Sequence, residues 1–161
     1  MEIELIRNRV IEKYLNKVLH KGRIMRMIIV SPWISNFQIS TSFGQIDLRD
    51  LCKIFKNNKT VVWVVTRKPK EIWHKEAIDI LEHAKNIDKV NIKLKYNSSL
   101  HAKILFTYSD QLQSGLIGSA NLTGRSLEND EIGVYIPKVE KTRKLIKDMQ
   151  VSAMNIYHNS D

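Results

Sequence analysis

Apolar residues along this chain switch between two rhythms. Between residues 3 and 20 they recur at helical spacing, with Val10, Ile11, Tyr14, Leu15, Val18 and Leu19 on one side and Gly22 placed as a C-terminal cap. This predicts a helix over 3–20. Residues 24–31 (IMRMIIVS) form a run that reads as a buried strand ending at Pro32. Residues 34–45 are polar, rich in Ser, Thr, Gln and Asn, and predict a loop of 12 residues, a length associated with function or mobility. Asp47 is placed to cap a helix reaching to about Phe55, Asn57-Asn58-Lys59 is a turn, and Thr60–Thr66 (TVVWVVT) is a second buried strand.

Pro69 opens a helix over about 70–86, with Ile72, Trp73, Ala77, Ile80, Leu81 and Ala84 expected to face inward. Residues 90–96 alternate, with Val90, Ile92, Leu94 and Tyr96 opposed to Asn91, Lys93 and Lys95, as in a half-exposed strand. Strands follow at 101–108 and 115–119, around a turn at 109–114, and at 131–136 (EIGVYI); a final helix is expected over 138–157. Strands interleaved with helices predict an α/β fold, a mixed β-sheet sandwiched by helices. The chain shows no repeat, low-complexity tract or Pro/Gly-rich linker, so residues 1–161 read as a single domain.

With 161 residues, 43% of them apolar, the chain can bury a substantial core, which excludes global disorder. The net charge of +9 favours a polyanionic partner, nucleic acid or an anionic surface. The one cysteine, Cys52, excludes an internal disulfide and falls on an apolar helical face with Leu48, Leu51 and Phe55, so it reads as core. The acidic start Met1-Glu2-Ile3-Glu4 has no apolar stretch behind it, and the longest apolar run, Val61–Val65, is far short of a membrane span, so the expected location is cytoplasmic. No Cys/His cluster has zinc spacing and the acids are scattered, so neither a metal nor another cofactor is expected.

Candidate chemistry lies in the last third. His101 and Lys103 alternate onto one face of their expected strand. By itself such a pair is usually a strand end meeting solvent. After fourteen intervening residues Lys103 is followed by Gly118-Ser119-Ala120-Asn121-Leu122-Thr123, a turn whose backbone N–H groups can cradle an anion and whose Ser119 and Asn121 supply neutral donors. Glu131 opens the next strand, where a carboxylate can accept from one imidazole nitrogen and leave the other free to attack.

Together, His101-x-Lys103, Gly118-Ser119-x-Asn121 and Glu131 resemble the signature of the phospholipase D superfamily. The order of elements leading to the motif is similar as well, which implies a phospholipase D-like fold. One position departs: where the family often carries an Asp after the Lys, this chain has Tyr108, and the nearest acid is Asp110. The resemblance implies a metal-independent, two-step displacement at phosphorus. One histidine forms a phosphohistidine, a second protonates the leaving oxygen and then activates water, and Lys103 and Asn121 hold the nonbridging oxygens. Two histidines are needed and the chain has one motif, which leads to a homodimer joined through the His101 face.

Among phosphodiesters, charge and the single motif favour nucleic acid, with DNA placed ahead of RNA although nothing in the residues separates them. Arg67, Lys68 and Lys70 follow a buried strand as candidate phosphate contacts, Arg125 follows the Gly-Ser-x-Asn turn, and Trp33 is a candidate for stacking on a base. Such contacts read charge and shape, so low sequence specificity is expected unless a larger complex or a further domain supplies it. The alternatives are a phospholipid hydrolase or phosphatidyltransferase, and a catalytically silent nucleic-acid-binding module.

Overall fold

The computed structural model describes residues 2–161. The long apolar runs become the middle of a seven-stranded mixed sheet: β2 (Ile24–Val30), β5 (Val61–Thr66) and β6 (Asn91–Tyr96) lie parallel. They are joined by α2 (Leu48–Asn58) and α3 (Ile72–Asn86). β7 (Ile104–Ser109) pairs antiparallel with the other side of β2, followed outward by β8 (Gln113–Gly118), β9 (Ile132–Pro137) and β1 (Glu4–Arg7), for an order β1-β9-β8-β7-β2-β5-β6.

The middle of the sheet is covered on both faces, which is why its central strands are apolar throughout. On one face, Tyr14 and Leu15 of α1 (Val10–Val18), Leu51 and Phe55 of α2 and Leu81 of α3 pack against Met27, Ile29, Val62, Val64 and Leu105. On the other, Ile146, Met149 and Ala153 of α4 (Arg143–His158) pack on Ile28, Val30, Val65, Phe106 and Ile136. Each fully buried side chain of this kind contributes about 1.5–3 kcal/mol. The fold class is the mixed, helix-sandwiched sheet expected from the sequence. Asp47 caps α2 as its position suggested: its carboxylate accepts from Asp50 N–H at 3.0 Å, and the Asp50 side chain accepts from Asp47 N–H at 3.1 Å. Cys52 is buried beneath α2, and burial pushes its thiol up to about 12.

Several elements differ from the sequence expectation. The first helix starts at Val10, and residues 4–7 are instead the edge strand β1, paired from Glu4 opposite Tyr135 to Arg7 opposite Ile132. Asn8 and Arg9 sit at positive φ (55° and 50°) and turn the chain between the two. The polar stretch at 34–45 is not an open loop. It holds β3 (Gln38–Thr41) and the start of β4 (Gly44–Asp47), a hairpin in which Ile39 faces Ile46 over the core and Gly44 takes φ 95°. Its alternation is masked by the polar residues on the outer side. β8 begins two residues before the expected 115. α4 begins at Arg143 rather than 138, after a 3-10 turn at Glu140–Thr142. At the start of α3 the inward assignment fails: Ile72 is 73% and Trp73 42% exposed, whereas His74 is buried, its Nε2 3.0 Å from Thr66 Oγ1.

Candidate active site

The carboxyl ends of β2 and β5, the approach to β7 and the end of β8 meet along one edge of the sheet. Open α/β sheets collect their ligand-binding groups at that edge. His101, Ala102 and Lys103 were expected on a strand, but β7 starts only at Ile104, because the chain is still leaving a turn in which Leu100 N–H donates to Asn97 carbonyl at 3.2 Å. The register Ile104–Ile117 then carries Lys103 alongside Gly118. Lys103 shares a small cavity with Ser31, Gly118 and Ala120, and its Nζ donates to the His101 carbonyl at 3.1 Å.

Arg67 leaves the end of β5 and holds the histidine. Its Nε donates to Leu100 carbonyl at 2.8 Å, its terminal nitrogen lies 3.1 Å from His101 Nδ1 and 3.4 Å from Nε2, and its guanidinium sits 4.6 Å from the ring centroid of Trp33. A guanidinium can only donate, so the imidazole nitrogen it meets presents a lone pair. His101 is exposed and its ring is oriented by Arg67.

The turn after β8 is bonded to its neighbours on two sides. Toward β9, Ser119 N–H donates to Ile132 carbonyl at 2.9 Å, Ile132 N–H donates to Ser119 Oγ at 3.1 Å, and the Ser119 hydroxyl donates to Glu131 Oε2. Toward β2, Ser31 Oγ accepts from Leu122 N–H at 3.0 Å and donates to Trp33 carbonyl at 2.6 Å. Trp33 N–H reaches Asn121 Oδ1 at 3.4 Å, and Gly124 N–H donates to Ser35 Oγ at 2.9 Å. With its oxygen turned to this loop, Asn121 has its amide N–H groups left to donate. Gly118 is required by close approach: a Cβ there would meet the Ile132 carbonyl oxygen and lie 2.7 Å from Gly133 Cα.

The structure thus brings His101, Lys103, Ser119 and Asn121 to one edge. Glu131 joins them differently than expected, bonded to Ser119 rather than to His101. Arg67, anticipated as a phosphate contact, is built into the site beside the imidazole. Lys68 and Lys70 are exposed on the segment between β5 and α3. Trp33 and Arg125 line a cleft of about 720 Å³ with Asn121, Glu131 and Trp73. Tyr108, at the departing position, is half-buried and packs with the α4-side core, and Asp110 accepts from Arg23 N–H at 2.9 Å in the turn at the far end of β7.

Ser31 and Trp73 are the site residues that the chain's pattern conceals. Ser31 ends a buried strand, and a small hydroxyl residue just before Pro32 is its faint signal. Trp73 is hidden by helical periodicity. Of the five histidines, the other four have partners of their own: His20 contacts Ser42, His74 Thr66, His83 Asp88, and His158 Trp63. Among the described residues no group of three or more His, Cys, Asp or Glu is arranged to hold a metal ion, and no helix is long and apolar enough to cross a membrane.

No family model and no curated protein sequence matches the chain. Solved structures do. Nuc from Salmonella typhimurium, described as a phospholipase D family member, superposes with a TM-score of 0.68 over 99% of this chain and 97% of its own, at 13% identity. NucT from Helicobacter pylori aligns over 94% and 96% of the two chains, with a TM-score of 0.53 and 14% identity. TrmBL2, described as an archaeal chromatin protein with a novel mode of DNA binding, aligns over all of this chain but 54% of its own, with a TM-score of 0.61 and 11% identity. The sheet order, the helical layers and these superpositions agree that the chain has the phospholipase D fold.

Proposed function

We propose that the protein is a metal-independent phosphodiesterase, an endonuclease of low sequence specificity that works through a phosphohistidine in a homodimeric site. The observation that carries the reading is the meeting of His101 and Lys103 with the Gly118–Asn121 turn at one sheet edge, with Arg67 against the imidazole. The phosphate draws the Arg67 guanidinium onto its own oxygens, and the His101 nitrogen released in this way attacks phosphorus with its lone pair. The P–N bond forms as the bond to the leaving oxygen breaks, and the partner subunit's His101 gives that oxygen its proton. The same imidazole of the partner then takes a proton from water, whose oxygen attacks phosphorus and breaks the P–N bond. Lys103, Asn121 and the turn's N–H groups stabilise the charge on the nonbridging oxygens. Support for nucleic acid as substrate comes from the +9 charge and from exposed Lys68, Lys70 and Arg125 around the site.

A nucleic-acid-binding module without catalysis is the second reading, favoured by the likeness to the chromatin protein. Plasmid and a fluorescent phospholipid, each incubated in EDTA with wild type and with His101→Ala, separate the readings. Nicking of plasmid by wild type alone, with the variant still binding DNA, is the expected result. Binding without nicking by wild type selects the module, and lipid hydrolysis in place of nicking selects a phospholipid hydrolase.

A further inference from the structure

We infer that the cleft beside His101 is a nucleobase subsite, in which Trp33 and Trp73 hold an unpaired base next to the phosphodiester, making single-stranded nucleic acid the preferred substrate. This rests on the nuclease reading and narrows it. The first helical turn of α3 leaves the indole of Trp73 42% exposed, and this indole forms one wall of a cleft that Trp33 also lines. Trp73 stacks on the buried ring of His74, with centroids 5.8 Å apart and planes inclined by 18°, so the indole is supported from within the fold. The volume of about 720 Å³ lies within the usual range for small-ligand sites, about 300–1,000 Å³.

The cleft is also coupled to the reacting group. One guanidinium, that of Arg67, lies over the Trp33 ring at 4.6 Å and against His101 at 3.1 Å, so a base beside Trp33 sits one side chain away from the nucleophile. Arg125 and Asn129 on the cleft's rim are placed to meet the sugar-phosphate backbone or a base edge. Indole faces stack on any base, which agrees with low sequence specificity. Bases in a duplex keep their faces covered by their neighbours, so only an unpaired base can enter.

The test compares a single-stranded decanucleotide with the same backbone carrying no bases, so that charge is constant. Binding of both is measured to His101→Ala and to His101→Ala/Trp73→Ala, with cooperative thermal unfolding checked for each. His101→Ala is expected to prefer the base-bearing strand by about 5- to 150-fold, and the double variant's preference is expected to fall toward one. Wild type is expected to cut the single strand faster than the same strand in a duplex. An equal preference in the two variants, or equal cutting of single strand and duplex, overturns the subsite while leaving the nuclease reading intact. If wild type cuts neither strand form, the nuclease reading falls and the subsite with it.

Discussion

At the scale of single residues, the site depends on side chains that each hold more than one partner. Arg67 contacts Leu100 carbonyl, the His101 ring and the Trp33 ring together, a task that requires a planar fork. A lysine there keeps the charge but cannot make all three contacts. Arg67→Lys is therefore expected to lower kcat/KM by about 100-fold through misplacement of the imidazole. Steady-state kinetics on an oligonucleotide checks this, and wild-type rates in the variant would remove Arg67 from the site. Asn121 meets the loop through its oxygen, and its amide N–H groups are left for the phosphate contact proposed above. Asn121→Ala is expected to reduce kcat by about 10²–10³-fold. A change confined to KM would make Asn121 a ground-state contact only.

At the scale of elements, caps and buried polar contacts fix where the site-bearing strands end. Both halves of the Asp47–Asp50 capping box are formed, so Asp47→Ala should destabilise the protein by about 1 kcal/mol, read as a lower urea midpoint. His74 anchors α3 to the end of β5 through Thr66, and burial holds its imidazole below its ordinary value of 6.5. The unfolded chain therefore takes up this proton first as pH falls. The contribution is full above 6.5 and is lost progressively as pH drops below it toward the lowered folded value. Urea midpoints measured on both sides of 6.5 should show this loss in wild type, and His74→Gln should flatten it. The same elements show what was legible in the sequence. The continuous apolar runs of β2 and β5, the Asp47 cap and the spacing of His101, Lys103, Ser119, Asn121 and Glu131 depend on local pattern and are readable without the fold. β1, the β3–β4 hairpin and the outward turn of Trp73 are decided by partners far away in the chain. Glu4–Arg7 becomes a strand because β9 offers an edge, and Trp73 leaves the core because His74 takes its place.

At the scale of the whole molecule, the proposed reaction needs two histidines, and in this chain His20, His74, His83 and His158 are engaged elsewhere. For the proposed homodimer, the sheet offers a seat. Leu5, Val134 and Ile117 stand in register across β1, β9 and β8 on the α4 side, and Ile132 continues that row along β9. Leu5, Ile117 and Ile132 remain 61%, 45% and 49% exposed, so the row is left uncovered. Ile117 is one residue from Gly118 and Ile132 one residue from Glu131, so a copy of the chain seated there by a two-fold axis would bring its own His101 toward the same phosphate. Ile117→Glu would set two carboxylates facing each other across that axis. It is expected to give a monomer in sedimentation equilibrium, with cleavage lost although the chain stays folded. Subunit mixing distinguishes a shared site from two independent ones. When wild type and His101→Ala are co-refolded in equal amounts, only dimers with two intact imidazoles can complete both proton transfers, so activity should fall to about a quarter of that of the all-wild-type sample. Independent sites would retain about half, and that result would return the second proton transfer to a group within the same chain.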